Sequence, residues 1–162
     1  MTTSEGIESP AELTGRRPRI IVGVDGSSAS MVALEAAVGE AELRGASLEP
    51  VKVWRHQDYY YAGPKLMRPP PVSGEDVAQV AKDRLAKALK GVPEDLEVHP
   101  QVLDGHPAKV LIDLAQGADL LVVGRRGLGG LAGLLLRSVS RACAHHAPCS
   151  VLIVPSPHQT GT

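Results

Sequence analysis

The chain has 162 residues, with 17 Lys and Arg against 18 Asp and Glu, 43% hydrophobic residues, two Cys and no Phe. That length makes one domain able to bury about two thirds of its unfolded surface, so neither a disulfide nor a metal is needed to hold its core, and that core must be aliphatic. The near-neutral charge excludes a generally basic nucleic-acid binder, and the apolar runs fall far short of the roughly 20 residues of a membrane span.

In chain order, residues 1–17 are polar and read as a disordered arm, without the apolar h-region of an export signal. Two cysteines, Cys143 and Cys149, agree with a reducing compartment, and a cytoplasmic protein is expected. Arg19 to Val24 (RIIVGV) has the pattern of a buried strand. Asp25-Gly-Ser-Ser then supplies a turn and a cap for an Ala-rich helix from about Ser28 to Arg44, closed by Gly45. Leu48 to Trp54 reads as the second strand. The next stretch, Arg55 to Gly74, contains YYY and PPP and fits neither periodicity. All the aromatic residues, Trp54 and Tyr59, Tyr60 and Tyr61, crowd where it begins, which makes it a candidate lid.

A helix is predicted from about Glu75 to Leu89, and Leu96 to Leu103 reads as the third strand. His106 to Gln116 follows as a short helix, with Pro107 in the first turn where its missing N–H costs nothing. Asp119 to Val123 is the fourth strand, a glycine-rich loop runs to Arg137, Ser138 starts another helix, and Ser150 to Val154 is the fifth strand. Residues 157–162 form a tail. Continuous Val, Ile and Leu strands separated by helices define an α/β fold, an open parallel five-stranded sheet with helices on both faces over 18–156. In such sheets ligands sit beyond the C-terminal strand ends at the switch point, here the loops after strands one and four.

The charge total hides an asymmetry that points to the same place. No Asp or Glu follows Asp119, while Arg125, Arg126, Arg137 and Arg141 do. In that acid-free stretch the chain leaves strand four through Gly124, Gly127, Gly129, Gly130 and Gly133. Glycines allow close backbone approach and the next helix N-terminus offers N–H groups, so a phosphate is the expected guest. A dinucleotide fingerprint is excluded because no acid follows, and a P-loop because the last lysine is Lys109. His145 and His146 are adjacent on a helix and their side chains diverge. No serine sits in a nucleophile elbow, so a hydrolase triad has no support.

Gly124-x-x-Gly127, nine residues, then Arg137-Ser138 resembles the G-x2-G-x9-G-[S/T] signature of the universal stress protein family. IIVGVDGS, GHPAKVLIDLA and HHAPCSVLIVP are similar to that family as well. The resemblance implies an adenine nucleotide alpha hydrolase-like fold with strand order 3-2-1-4-5. It also implies a site for ATP, ADP or AMP, with or without Mg²⁺. Gly23, Val24 and Asp25 would meet the nucleoside, and Val53 would lend adenine a backbone edge. Val123, Gly124, Arg126 and Gly127 would pass close to ribose and phosphates. Ser138, Val139 and Ser140 would supply donors at the helix start. An Asp25 confined to capping and a Ser138 that is a simple N-cap are the plainer readings. Family members also dimerise through the last strand, so a homodimer centred on Val151 and Ile153 is expected.

One departure stands out. Arg137 occupies the place of the motif's last glycine, where its guanidinium either binds phosphate in bidentate fashion or fills the site; retention of binding is the expectation. The leading reading is thus a nucleotide-binding stress-response regulator. The alternatives are a dimeric interaction module that binds no nucleotide, with the arginine loop as docking surface, and a slow ATPase or phosphoryl-transfer protein, for which Asp25 is the obvious acidic candidate.

Overall fold

The computed structural model describes residues 15–55, 73–125 and 137–155. Its elements are β1 (Arg19–Gly23), α1 (Ser28–Arg44), β2 (Ser47–Trp54), α2 (Gly74–Ala88), β3 (Gln101–Asp104), α3 (Pro107–Leu114), β4 (Leu120–Gly124), α4 (Arg137–His146) and β5 (Ser150–Val154). The strands are parallel and lie in the order β3-β2-β1-β4-β5, with Ile20 beside both Leu48 and Leu120. The expected arm (residues 1–14 of it), most of the 55–74 loop with its tyrosines, residues 126–136 and the 157–162 tail lie outside the described residues.

Boundaries differ from expectation where local chemistry intervenes. The third strand begins at Gln101 rather than Leu96, preceded by an isolated bridge between Leu48 and Val98. Pro100, between the two, has no N–H to donate to a ladder. The short helix ends at Leu114, two residues before the predicted Gln116, with Ala115 as its cap, and the chain then turns through Gly117 at φ +71°. The Leu89–Gly91 end of the second helix tightens into a 3₁₀ turn.

Each sheet face carries its own aliphatic core. On one side α1 and α2 pack Ala33, Leu34, Ala37, Ala41 and Leu85 against Ile20, Val22, Leu48 and Val122. On the other, α3 with its cap Ala115, and α4, bring Leu111, Ala115 and Cys143 onto Ile21, Val51, Leu121 and Val123. The buried face of α1 is a stripe of Ala29, Ala33, Ala37 and Ala41, whose single methyl groups let the helix sit close to the sheet.

At the N-terminal strand ends the Arg19 guanidinium donates to both oxygens of buried Glu49, at 2.7 and 3.0 Å, and the Gln101 amide adds a bond of 3.1 Å. The Arg19 N–H donates to Asp119, which also receives Arg16. These contacts tie four neighbouring strands at the end opposite the switch point.

Cys143 is fully buried in the α4 layer, and loss of water pushes its thiol from 9.0 up to about 11, with Cys149 adding to the shift. Between pH 9 and 11 the unfolded thiol ionises while the folded one keeps its proton. Stability is therefore lost as pH rises through that window. Urea denaturation is expected to show the native sequence losing about 2 kcal/mol more than Cys143→Ala over this interval; parallel pH profiles would contradict it.

Candidate functional site

Chain direction makes the site. From β1 the chain crosses to β2 on one side through α1, and β4 lies on the other, so β1 marks the point where the winding reverses. Beyond the C-terminal ends of β1 and β4 opens a cleft of about 100 Å³. Of the predicted site residues, Gly23, Val24, Asp25, Val53, Val123, Gly124 and Val139 line it together. Ser30, Val51, Pro107 and Leu111 line it too and were not anticipated. Pro107 and Leu111 had a sequence signal in the short helix that follows strand three, which the fold lays across the ends of β1 and β2.

The β1–α1 turn is built from short hydrogen bonds. The Val24 N–H donates to the Val51 carbonyl at 2.8 Å, the last rung that β1 shares with β2. Asp25 Oδ1 accepts from the Ser27 N–H at 2.9 Å and from its hydroxyl at 2.6 Å. The Ser27 Oγ in turn accepts the Ser30 N–H, capping α1, while the Ser30 hydroxyl donates to the Ser27 carbonyl and accepts from the Gly26 N–H. Gly26 has φ +92°, a conformation that side chains rarely adopt. The turn role considered for Asp25 is thus realised, and the residue still lines the cleft.

Beneath this turn lies a residue the sequence reading passed over. Lys52, on β2, is only 8% exposed, and its ammonium donates to the Asp25 carbonyl at 2.9 Å. Burial pushes its pKa below the usual lysine value, against the pull of Asp25 and with the help of Arg84 on α2.

Strand geometry also orients β2. The Val51 carbonyl faces β1, and the Trp54 carbonyl, which accepts the Gly105 N–H at 3.0 Å, faces β3. Since these groups alternate along a strand, the Val53 N–H and C=O face the β1 side. There β1 has ended at Gly23, opposite Val51, so the Val53 edge is directed into the cleft. The same alternation places the Trp54 side chain on the α1/α2 face, away from the Val51, Val53 and Leu111 wall. As a cover for the cleft, Trp54 is on the wrong side of the sheet.

Gly124 has a packing reason of its own. A Cβ there would lie 2.8 Å from the Ala29 carbonyl oxygen in the first turn of α1, and one on Gly23 would meet Leu111 Cδ1 at 3.1 Å. At α4, Val139 reaches the cleft, whereas Ser140, one helical step round, is buried and does not line it. Arg126, Gly127 and the side chains of Arg137 and Ser138 lie outside the described residues. No group of three or more His, Cys, Asp or Glu among the described residues is placed to hold a metal, and none of their helices is long and apolar enough to cross a membrane.

A parallel sheet of order 3-2-1-4-5 with helices on both faces and its cleft at the switch point is an adenine nucleotide alpha hydrolase-like fold. Residues 17–155 match the universal stress protein family, and the chain belongs to that family. Universal stress proteins of Mycobacterium bovis and Mycobacterium tuberculosis are 33% identical over 156 residues, covering 93% of this chain and 48% of theirs. The chain therefore spans about half the length of those relatives. Among solved structures, a universal stress protein in complex with cAMP is 31% identical with a TM-score of 0.56, covering 87% of this chain and 98% of its own. A universal stress protein from Archaeoglobus fulgidus in complex with dAMP, at 22% identity, TM-score 0.60 and coverage of 86% and 98%, shares the fold.

Because both atoms at the Gly124 contact are backbone or directly attached to it, neither can rotate away. Gly124→Ala is expected to lower unfolding stability by about 1–3 kcal/mol in chemical denaturation. Unchanged stability would show that α1 is free to shift outward.

Proposed function

We propose that this universal stress protein binds an adenine nucleotide in the switch-point cleft and acts as a cytoplasmic, homodimeric regulator of the stress response. The observation that carries this reading is the Val53 backbone edge, directed into a cleft that Asp25 also lines. One residue's N–H and C=O offer a donor and an acceptor side by side, and adenine presents the complementary N1 acceptor and N6 donor. Guanine presents an O6 acceptor and an N1–H donor in the opposite order. Val51, Leu111, Val123 and Val139 supply apolar walls for a base.

In this reading Asp25 meets the ribose, and the phosphates extend toward the start of α4, where Arg126, Gly127, Arg137 and Ser138 supply positive charge and donors. ATP, ADP and AMP all meet these requirements, and Mg²⁺ would be held chiefly by the phosphates. The cAMP complex of the 31% identical relative supports the ligand class.

Calorimetric titration with ATP, AMP and GTP, with and without Mg²⁺, tests the site. ATP and AMP are expected to bind, GTP at least about tenfold more weakly, and Asp25→Ala to cost about tenfold in ATP affinity. Equal affinity for GTP would remove the role of the Val53 edge. A folded protein that binds no adenine nucleotide would favour the interaction-module reading.

The dimer is proposed through β5, which among the described residues pairs only with β4 and presents Ile153 at 38% exposure. An uncharged apolar edge strand of this kind is a ready pairing surface. Sedimentation at micromolar concentration is expected to show a dimer, and Ile153→Lys a monomer; a native monomer would overturn the interface.

A further inference from the structure

We propose that Lys52 is a positioning residue: reaching across from the α1/α2 face of the sheet, its ammonium clamps the Asp25 carbonyl and so sets the β1–α1 turn that carries Asp25 and Ser30 into the cleft. The clamp is a contact within the protein; only what the turn binds rests on the nucleotide reading.

A lysine is costly to place there. Lys52 lies within β2, beside Val102 of β3, and is 8% exposed. An apolar side chain at that position would extend the Ile20, Val22 and Leu48 core without penalty, whereas a buried ammonium must recover its lost hydration from partners. The partner it meets is the Asp25 carbonyl at 2.9 Å, with the Asp25 carboxylate adding attraction and Arg84 repulsion. Asp25 lies two residues past the end of β1, so no ladder holds its carbonyl.

The hydrogen bonds within this turn differ in kind. Ser27 to Asp25, Ser30 to Ser27 and Gly26 to Ser30 all join residues no more than four apart. They shape the turn but do not anchor it to the sheet. The Val24 rung on Val51 and the Lys52 bond, one residue further along, tie the turn to β2. Without Lys52 the turn keeps its internal form and loses one of its ties to β2, which loosens it about Val24. That loosening would displace the Asp25 carboxylate and the Ser30 hydroxyl relative to the Val53 edge.

Hydrogen exchange on the full chain, without nucleotide, tests the clamp directly. Lys52→Met keeps the length of the stem and removes the charge. It is expected to speed exchange at the Gly26 to Ser30 amides about tenfold while leaving Ala33 to Ala41 unchanged. Lys52→Gln, too short to reach the carbonyl, is expected to give the same local pattern. Unchanged exchange, or a uniform rise throughout α1, overturns the proposal. Calorimetry on the same variants is expected to show ATP affinity at least about tenfold weaker, and native affinity with a loosened turn overturns the positioning role. If the native protein binds no ATP yet Lys52→Met loosens the turn, the clamp stands and the nucleotide reading fails.

Discussion

The first turn of α1 rests against the end of β4 with no space for one further carbon, since a Cβ on Gly124 would lie 2.8 Å from the Ala29 carbonyl. Much of the molecule follows from that approach. The helix can come so near the sheet only because it shows alanines at Ala29, Ala33, Ala37 and Ala41, and a core without Phe is the compositional trace of the same thin layer. The approach also brings the cap of α1 to the mouth of the switch point. Ser27, which caps the helix, is bonded to Asp25, and Ser30, one turn inside, lines the cleft. A bulkier first turn would carry these groups outward and open the cleft into a shallow bay.

Charge is placed along β2 with the same economy. Glu49 and Lys52 are three residues apart, both buried, and alternation puts them on opposite faces. Glu49 is satisfied by Arg19 and Gln101 from the strands on either side, which fixes the register at the N-terminal ends. Lys52 donates to a single backbone oxygen at the other end. Breaking a buried pair leaves an unpaired charge, a cost of about 3–5 kcal/mol, so the Glu49 network resists slippage of neighbouring strands. Lys52, held by one weaker contact, governs only a turn.

The architecture was legible because its signals are local and strong. RIIVGV, DLLVV and SVLIV read as buried strands, the Ser28–Arg44 helix is bounded by a cap and a glycine, and all three strand positions and both helix ends agree with the structure to within one residue. Third-strand length was misread because hydrophobicity continues through Pro100, where hydrogen bonding cannot. Seven of the predicted site residues meet in the cleft because each ends a strand or begins a helix there. Leu111 and Lys52 were missed for opposite reasons. Leu111 is an ordinary core leucine until β1 stops short beneath it, and Lys52 is an ordinary surface lysine until α2 covers it. Both roles arise from tertiary contacts that periodicity does not encode. Gly124 stands out in the sequence through its motif, which points to a ligand and says nothing of its contact with Ala29.

That double demand on Gly124 bears on how the family motif should be read in this chain. A glycine kept for approach to a ligand tolerates a small side chain whenever the ligand can shift by a few tenths of an ångström. A glycine facing a helix carbonyl does not, because the obstacle is backbone in a capped first turn. Gly124 therefore reports on the seating of α1 whether or not a nucleotide is bound. Arg137, which replaces a motif glycine in the helix that follows, has to be judged by the other criterion. The first glycine of the signature belongs to the fold, and only the later positions can distinguish a nucleotide-binding chain from an interaction module built on the same sheet.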